Sequence, residues 1–227
     1  MTADRSVFRQ PPLPALNSRR GVLLLAGAAG LVLAGCSLPD KPVRSTLYDF
    51  GPGPLTPRPQ DRRAPLPAIA LADVEAAGML DSTAVLYRLA YADANQLRPY
   101  AQARWSALPA LLVRRRMREA LGERRAVFTA EEAASQARVG GRVPHTLRVE
   151  LDEFTHHFDS PTASRGVVRL RVTLTESTTV GDRLLGQRAV VATRPADSGD
   201  ASGGVRALAA ATDAAIEDIA QWLQQVP

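Results

Sequence analysis

One thiol, three imidazoles and a run of guanidinium groups are the side chains of widest chemical reach in this 227-residue chain. The thiol is Cys36, which directly follows Leu33-Ala34-Gly35 at the end of an apolar run. A lone cysteine excludes an intramolecular disulfide framework, and its sulfur is a nucleophile as the thiolate. His156 and His157 are adjacent in a stretch patterned as a strand, so their side chains point to opposite faces and cannot chelate one metal together. His157 and Asp159 share a face if the strand stays regular, but no third ligand is evident. The pair therefore reads as solvated or edge-packed, and no metal site is expected. Ser198 to Gly204 is glycine-rich ahead of a predicted helix, where backbone N–H groups can hold an anion. No lysine follows, and Asp197 and Asp200 would repel phosphate, so a loop and a helix start are expected there. Gly-x-Ser-x-Gly, the P-loop and the dinucleotide fingerprint are all absent from the sequence. Lacking a nucleophile–base pair, the sequence points to no enzyme activity and no cofactor.

The guanidinium groups are unevenly placed. Arg114, Arg115, Arg116 and Arg118 stand with Arg104, Arg124 and Arg125 against Glu119 and Glu123, which gives residues 104–125 a charge of +5. From Pro195 onward, Arg206 faces Asp197, Asp200, Asp213, Glu217 and Asp218, a charge of −4. A solvated helix face explains the arginines most simply. The sharper readings are contact with phospholipid headgroups, or with an acidic patch on a neighbouring subunit, since opposite poles permit head-to-tail homo-oligomers. The overall charge of +5 has a different origin: four arginines against Asp4 give residues 1–35 a charge of +3, leaving the rest at +2.

The elements that must hold these groups follow from periodicity. Ala68 to Ala72 predicts a short strand, and Val85 to Tyr91 a stronger one with Val85, Tyr87, Leu89 and Tyr91 on one face. Gln96-Leu97-Arg98 pairs with it across a turn at Asp93-Ala94-Asn95. Ser106 to Leu121 predicts a helix, with Pro109 in its first turn, Gly122 at its stop, and Trp105, Leu108, Leu112 and Arg115 near one stripe. Val127-Phe128 is a short strand and Glu131 to Arg138 a helical turn. Thr146 to Asp152 alternates with Leu147, Val149 and Leu151 inward; the apolar parity then flips to Phe154 and Phe158, which marks a bulge or bend. Val168 to Thr175 and Leu184 to Thr193 are further strands. Val205, Leu208, Thr212, Ile216, Ile219 and Leu223 make one apolar stripe on a helix from about Gly204 to Gln225. The pattern fits an α+β fold, an antiparallel sheet with two main amphipathic helices packed on one face. A hydrophobic fraction of 45% is that of a globular chain rather than a disordered one.

Ahead of this domain lie two other segments. Arg19-Arg20 precedes Gly21 to Ala34, an uncharged run of 14 residues, too short to span a membrane but suited to a secretory signal. Its end, Leu33-Ala34-Gly35-Cys36, resembles the lipobox of bacterial lipoprotein signal peptides. That resemblance implies cleavage after Gly35, a diacylglyceryl group on the Cys36 sulfur, an acyl chain such as palmitate on its amino group, and, with Ser37 next, sorting to the outer membrane. Ser18 to Leu23 resembles the twin-arginine export pattern, with Val22 where phenylalanine is usual; a basic segment ahead of a Sec signal is the alternative, and both end in the periplasm. Residues 37–67 hold eight prolines and read as a tether, interrupted at Leu47-Tyr48-Asp49-Phe50 by a short edge strand. The expected organisation is a signal peptide at 1–35, an acylated Cys36 with a proline-rich tether at 36–65, and an α/β domain at 66–227.

The chain also resembles the ABC-type transport auxiliary lipoproteins, including the paraquat-inducible protein C type. The resemblance rests on Cys36; on Thr46-Leu47-Tyr48-Asp49-Phe50-Gly51; on Arg98 to Ser106 leading into Leu108-Pro109; on Leu184 to Arg188 with Arg194-Pro195-Ala196; and on a final helix carrying Ala207-Leu208 and Trp222-Leu223. It implies a compact α/β domain, no enzyme activity, and partnership with a periplasmic MCE-domain protein and its ABC transporter in moving phospholipids between membranes. Nucleic acid is not expected in that compartment. A structural or envelope-assembly lipoprotein without transport is the competing reading.

Overall fold

The longest alternating stretches of the sequence become the longest strands. The computed structural model describes residues 44–52, 66–138 and 143–226. In it one eight-stranded sheet is built from β1 (Thr46–Tyr48), β2 (Ile69–Ala76), β3 (Ala84–Leu89), β4 (Leu97–Trp105), β5 (Val127–Phe128), β6 (His145–Phe158), β7 (Ser164–Thr178) and β8 (Gly181–Pro195). The helices are α1 (Pro109–Gly122), α2 (Ala130–Arg138) and α3 (Ala201–Trp222). The α+β class holds, and α3 lies over β6, β7 and β8 while α1 lies over β2.

Strand β6 is the spine. Along one edge it pairs antiparallel with β7, which pairs antiparallel with β8. Its other edge carries β2 and β3 in line, both parallel to it: Ile69 to Ala76 run beside His145 to Leu151, and Tyr87 to Leu89 beside His156 to Phe158. Between them the chain leaves the sheet in a 3-10 turn, Gly78–Leu80, that Gly78 opens at φ +62°. The sheet is thus mixed, not wholly antiparallel. β7, β8 and the β3–β4 pair are antiparallel neighbours, whereas β1–β4, β2–β5, β2–β6 and β3–β6 are parallel. Parallel partners are joined by long crossovers, so local alternation carries no sign of them.

The parity flip in β6 is a bulge. Leu151 pairs with Leu170 and Glu153 with Arg169, leaving Asp152 as the extra residue. Because of it, Leu147, Val149 and Leu151 and then Phe154 and Phe158 all lie in the core. A similar shift between Ala84 and Leu86 buries both Val85 and Leu86, so the expected single face of β3 is not kept; Tyr91 lies beyond the strand and is exposed. On the face away from the helices, Arg171 reaches Glu150 and Asp152, Arg169 reaches Glu153, and Arg148 reaches Asp182. Exposed pairs of this kind add little each, about 0–1 kcal/mol, but keep that face wet.

Helix α1 starts at Pro109, whose missing N–H costs nothing in a first turn, and buries Leu112, Val113, Met117 and Leu121. Leu108 sits outside this stripe as the residue before the helix, 40% exposed. In α3 the whole predicted stripe from Val205 to Leu223 is buried. Strand β1 closes one edge of the sheet, paired with β4, and Phe50 just after it packs edge-on against Trp105 at 5.7 Å and against Phe154 at 6.0 Å. The stretch from Thr46 to Phe50 is therefore part of the folded body. Residues 1–43, which include the signal segment and Cys36, and residues 53–65 of the expected tether lie outside the described residues.

Candidate functional site

The four arginines singled out in the sequence all sit on α1, but they do different things. Arg114 Nη1 lies 2.8 Å from Asp73 Oδ1 at the β2 end of the helix. Arg116 points across to α3, its Nε and Nη2 donating to the two carboxylate oxygens of Asp213 at 2.6 and 2.9 Å. That hydrogen bond holds the Arg116 pKa above its ordinary value. Arg118 reaches Glu132 on α2 at 3.8 Å with both side chains half exposed. Arg115 is exposed and forms no ion pair among the described residues. The two oppositely charged segments therefore meet inside one molecule through Arg116–Asp213, rather than standing at separate poles, and Asp218 of the acidic one is taken up by Arg188 of β8 at 2.7 Å. At the far end of α1, Arg124 and Arg125 stand side by side; burial, and then repulsion from Arg124, lower the Arg125 pKa.

Helices α1 and α3 leave a seam of open hollows between them. The central one, about 210 Å³, has Ala120, Ile216 and Ala220 with Arg116, Glu119, Glu123, Asp213 and Glu217 around it. It shares Arg116 and Glu119 with a second hollow of about 160 Å³ that runs to Asp49, Phe50, Gly51 and Ser106. A third, about 430 Å³, continues from those four residues to Leu47, Val205 and Arg206. Ser106 N–H donates to Tyr48 C=O at 2.7 Å and so ties the start of α1 to β1. The seam thus links the edge strand to both helices, mixing apolar and charged walls.

The expectation of a solvated or edge-packed histidine pair fails for His156, because the strand turns that side chain into the core beneath α3. His156 is fully buried, with Nδ1 2.8 Å from the Tyr100 hydroxyl and Nε2 2.8 Å from Ser164 Oγ. Burial lowers its pKa to about 4, against a smaller upward pull from Asp200. Burial also raises the Tyr100 phenol, helped by Tyr87 and Asp200. A protonated phenol donating to Nδ1 and an Nε2–H donating to Ser164 satisfy a neutral ring. A Ser–His contact is the geometry of an activated nucleophile, yet this imidazole is a weak base pressed beneath α3. A Cβ on Gly204 would lie only 2.4 Å from Nδ1, so the helix packs on the ring itself. The arrangement is a core hydrogen-bond network. Its sequence signal was the pairing of a histidine with Gly204 and Tyr100, residues too distant in the chain to be matched. His157, on the other face, lies 3.8 Å from Asp159. Among the described residues no group of three or more His, Cys, Asp or Glu side chains is placed to hold a metal. The Ser198–Gly204 segment is the expected helix start: Asp200 caps α3 by accepting from Gly203 N–H at 2.7 Å and from Ser198 Oγ at 2.8 Å. Both bonds keep its pKa low.

A family model described as the ABC-type transport auxiliary lipoprotein component matches residues 48–220, from β1 into α3. The chain belongs to this family. Two solved structures share the fold seen here. One, a DUF330-family protein from Xanthomonas campestris, is 17% identical with a TM-score of 0.59, over 80% of this chain and 93% of that one. The other, an uncharacterized protein, is 15% identical with a TM-score of 0.57, over 79% of this chain and 99% of that one. No curated protein matches the chain.

Proposed function

We propose that this auxiliary lipoprotein is held on the periplasmic face of the outer membrane by acyl chains on Cys36. In this reading it serves, without catalysis, a transport system in which an ABC transporter and a periplasmic MCE-domain protein move phospholipid across the envelope. The family match over residues 48–220, on a domain that begins just after a lipobox cysteine, carries this reading. Two or three acyl chains hold firmly, because each buried methylene contributes about 0.8 kcal/mol and two chains suffice for stable attachment. The anchor fixes the domain at one membrane, and its helical surface then docks the partner that spans the gap. The described hollows are open and partly charged, which suits protein contact better than enclosure of a diacyl lipid.

Crosslinking in intact cells followed by purification of the tagged lipoprotein is the direct test. Recovery of an MCE-domain protein is the expected result, and Cys36→Ala should release the lipoprotein from membranes and abolish lipid labelling. Repeated recovery of other envelope proteins alone would favour an assembly role without transport and sink the proposal.

A further inference from the structure

The chain enters the fold at an edge of the sheet, only a few residues after Cys36 in sequence. Because β1 starts at Thr46, nine residues separate it from Cys36. Fully extended, they reach about 36 Å at most. A free tether running to residue 65 would have allowed about 100 Å. The β1 edge must therefore stay near whatever surface holds Cys36.

That edge sets exposed apolar side chains beside arginines. Leu47 on β1 is 68% exposed, and Leu108 and Leu111 at the start of α1 are 40% and 36% exposed. Leu108, Leu111, Arg115 and Arg118 follow at spacings of three and four, so they share the solvent-facing side of α1. Arg44 stands at the entry to β1 and is exposed. Leu47 and Arg115 each line a hollow that contains Ser106, which places β1 and this helix face at one corner. The nearby carboxylates are engaged: Asp49 accepts from Gly51 N–H, Glu119 lies 3.7 Å from Arg116, and Glu132 lies 3.8 Å from Arg118. An apolar trio beside cations with short reach to an acylated residue is the composition of an interfacial membrane contact.

We propose that this corner rests on the membrane that holds the anchor. Leu47, Leu108 and Leu111 enter the headgroup region, while Arg44, Arg115 and Arg118 contact anionic glycerophospholipid headgroups. The inference rests on the anchor reading of Cys36, and it separates Arg115, which forms no ion pair among the described residues, and Arg118, whose 3.8 Å pair with Glu132 is half exposed, from Arg114 and Arg116, which lie 2.8 and 2.6 Å from Asp73 and Asp213.

The test uses the full, acylated chain in phosphatidylcholine vesicles with and without phosphatidylglycerol. Acylation consumes the only native thiol, so a cysteine introduced by Ser106→Cys or Val191→Cys takes a single environment-sensitive fluorophore. Val191 lies on β8, five strand spacings or about 24 Å from β1. With phosphatidylglycerol present, the label at 106 should shift to the blue and be quenched by lipids spin-labelled near the headgroup, while the label at 191 should not. Each of Arg44→Ser, Arg115→Ser and Arg118→Ser should lower the docked-to-free ratio about fivefold without loss of vesicle flotation. Equal quenching at both positions in floating protein, or quenching at 106 indifferent to phosphatidylglycerol and to the arginines, overturns the membrane contact and leaves the corner to a protein partner. Protein that fails to float, with its native thiol open to the fluorophore, overturns the anchor reading itself.

Discussion

A histidine with no route to water is the most consequential single residue inside the fold. His156 is neutral because burial lowers its pKa to about 4, whereas in the unfolded chain it titrates near its ordinary 6.5. The unfolded state therefore binds the extra proton between these values, and stability rises with pH across that window. The full contribution is present above about pH 6.5 and is lost as pH falls towards 4, an amount on the order of 3 kcal/mol. Urea unfolding measured from pH 4 to 7 should show this slope, and His156→Gln, which keeps a hydrogen-bonding group without the titration, should flatten it. An unchanged slope in the variant would assign the pH response to other groups. Cys36, at the same scale, carries its meaning entirely in local sequence, since four residues are enough to resemble a lipobox. His156 does not: beside His157 it looks like a surface pair, and only Tyr100, Ser164 and Gly204 arriving from three other places in the chain make it a core residue.

Helix α3 sits on the sheet as closely as its backbone permits. Gly166 in β7 pairs with His156, and a Cβ there would meet the Ala207 carbonyl carbon and Leu208 nitrogen at 2.5 Å. The obstacle is helix backbone, so it cannot rotate aside. Gly166→Ala should therefore lift α3 and cost about 1–3 kcal/mol, as overpacking does. Gly122 at the end of α1 has no heavy atom within 4 Å of its would-be Cβ, and Gly122→Ala should be neutral or gain up to about 1 kcal/mol of helix propensity. Thermal unfolding of the two variants checks both signs; similar losses would mean that the close approach is not what Gly166 provides. These elements also show which parts of the fold sequence can reveal. β6, β7 and β8 were legible because each keeps its two-residue alternation over several repeats, α3 because its stripe runs for several turns, and the bulge at Asp152 was legible as a change of parity. The parallel seats of β2 and β3 on one edge of β6 were not, because strand order depends on chain returns and not on any local pattern. The Arg116–Asp213 bridge was hidden for the same reason, as its partners are 97 residues apart. The arginines were visible as a cluster, but their division into bridging and outward-facing members depends on which residues α2, α3 and β2 bring alongside.

For the whole molecule, the position of β1 changes what the proline-rich stretch can do. A strand seated in the sheet at Thr46–Tyr48, where the sequence already interrupts the tether, leaves a nine-residue link after Cys36 and a separate segment between Pro52 and Leu66. Short links act by concentration: the effective concentration of a tethered surface falls as roughly the −3/2 power of link length once the link can span the gap. Inserting twenty Gly/Ser residues after Ser37 lengthens the link about threefold, so the docked-to-free ratio of the β1 corner should fall about fivefold. The same insertion leaves the acyl anchor and the folded domain untouched, and flotation with vesicles should stay complete. If the docked ratio does not move, the corner holds the membrane without help from the tether, and the short link must serve another end, such as setting the height at which the α1–α3 seam meets its partner. Measuring partner crosslinking in the same insertion variant separates the two. A height-setting link predicts that crosslinking falls while docking persists, whereas a concentrating link predicts that docking falls first. Either result fixes how an anchor, a link and a helical surface divide the work of holding one membrane and reaching towards the other.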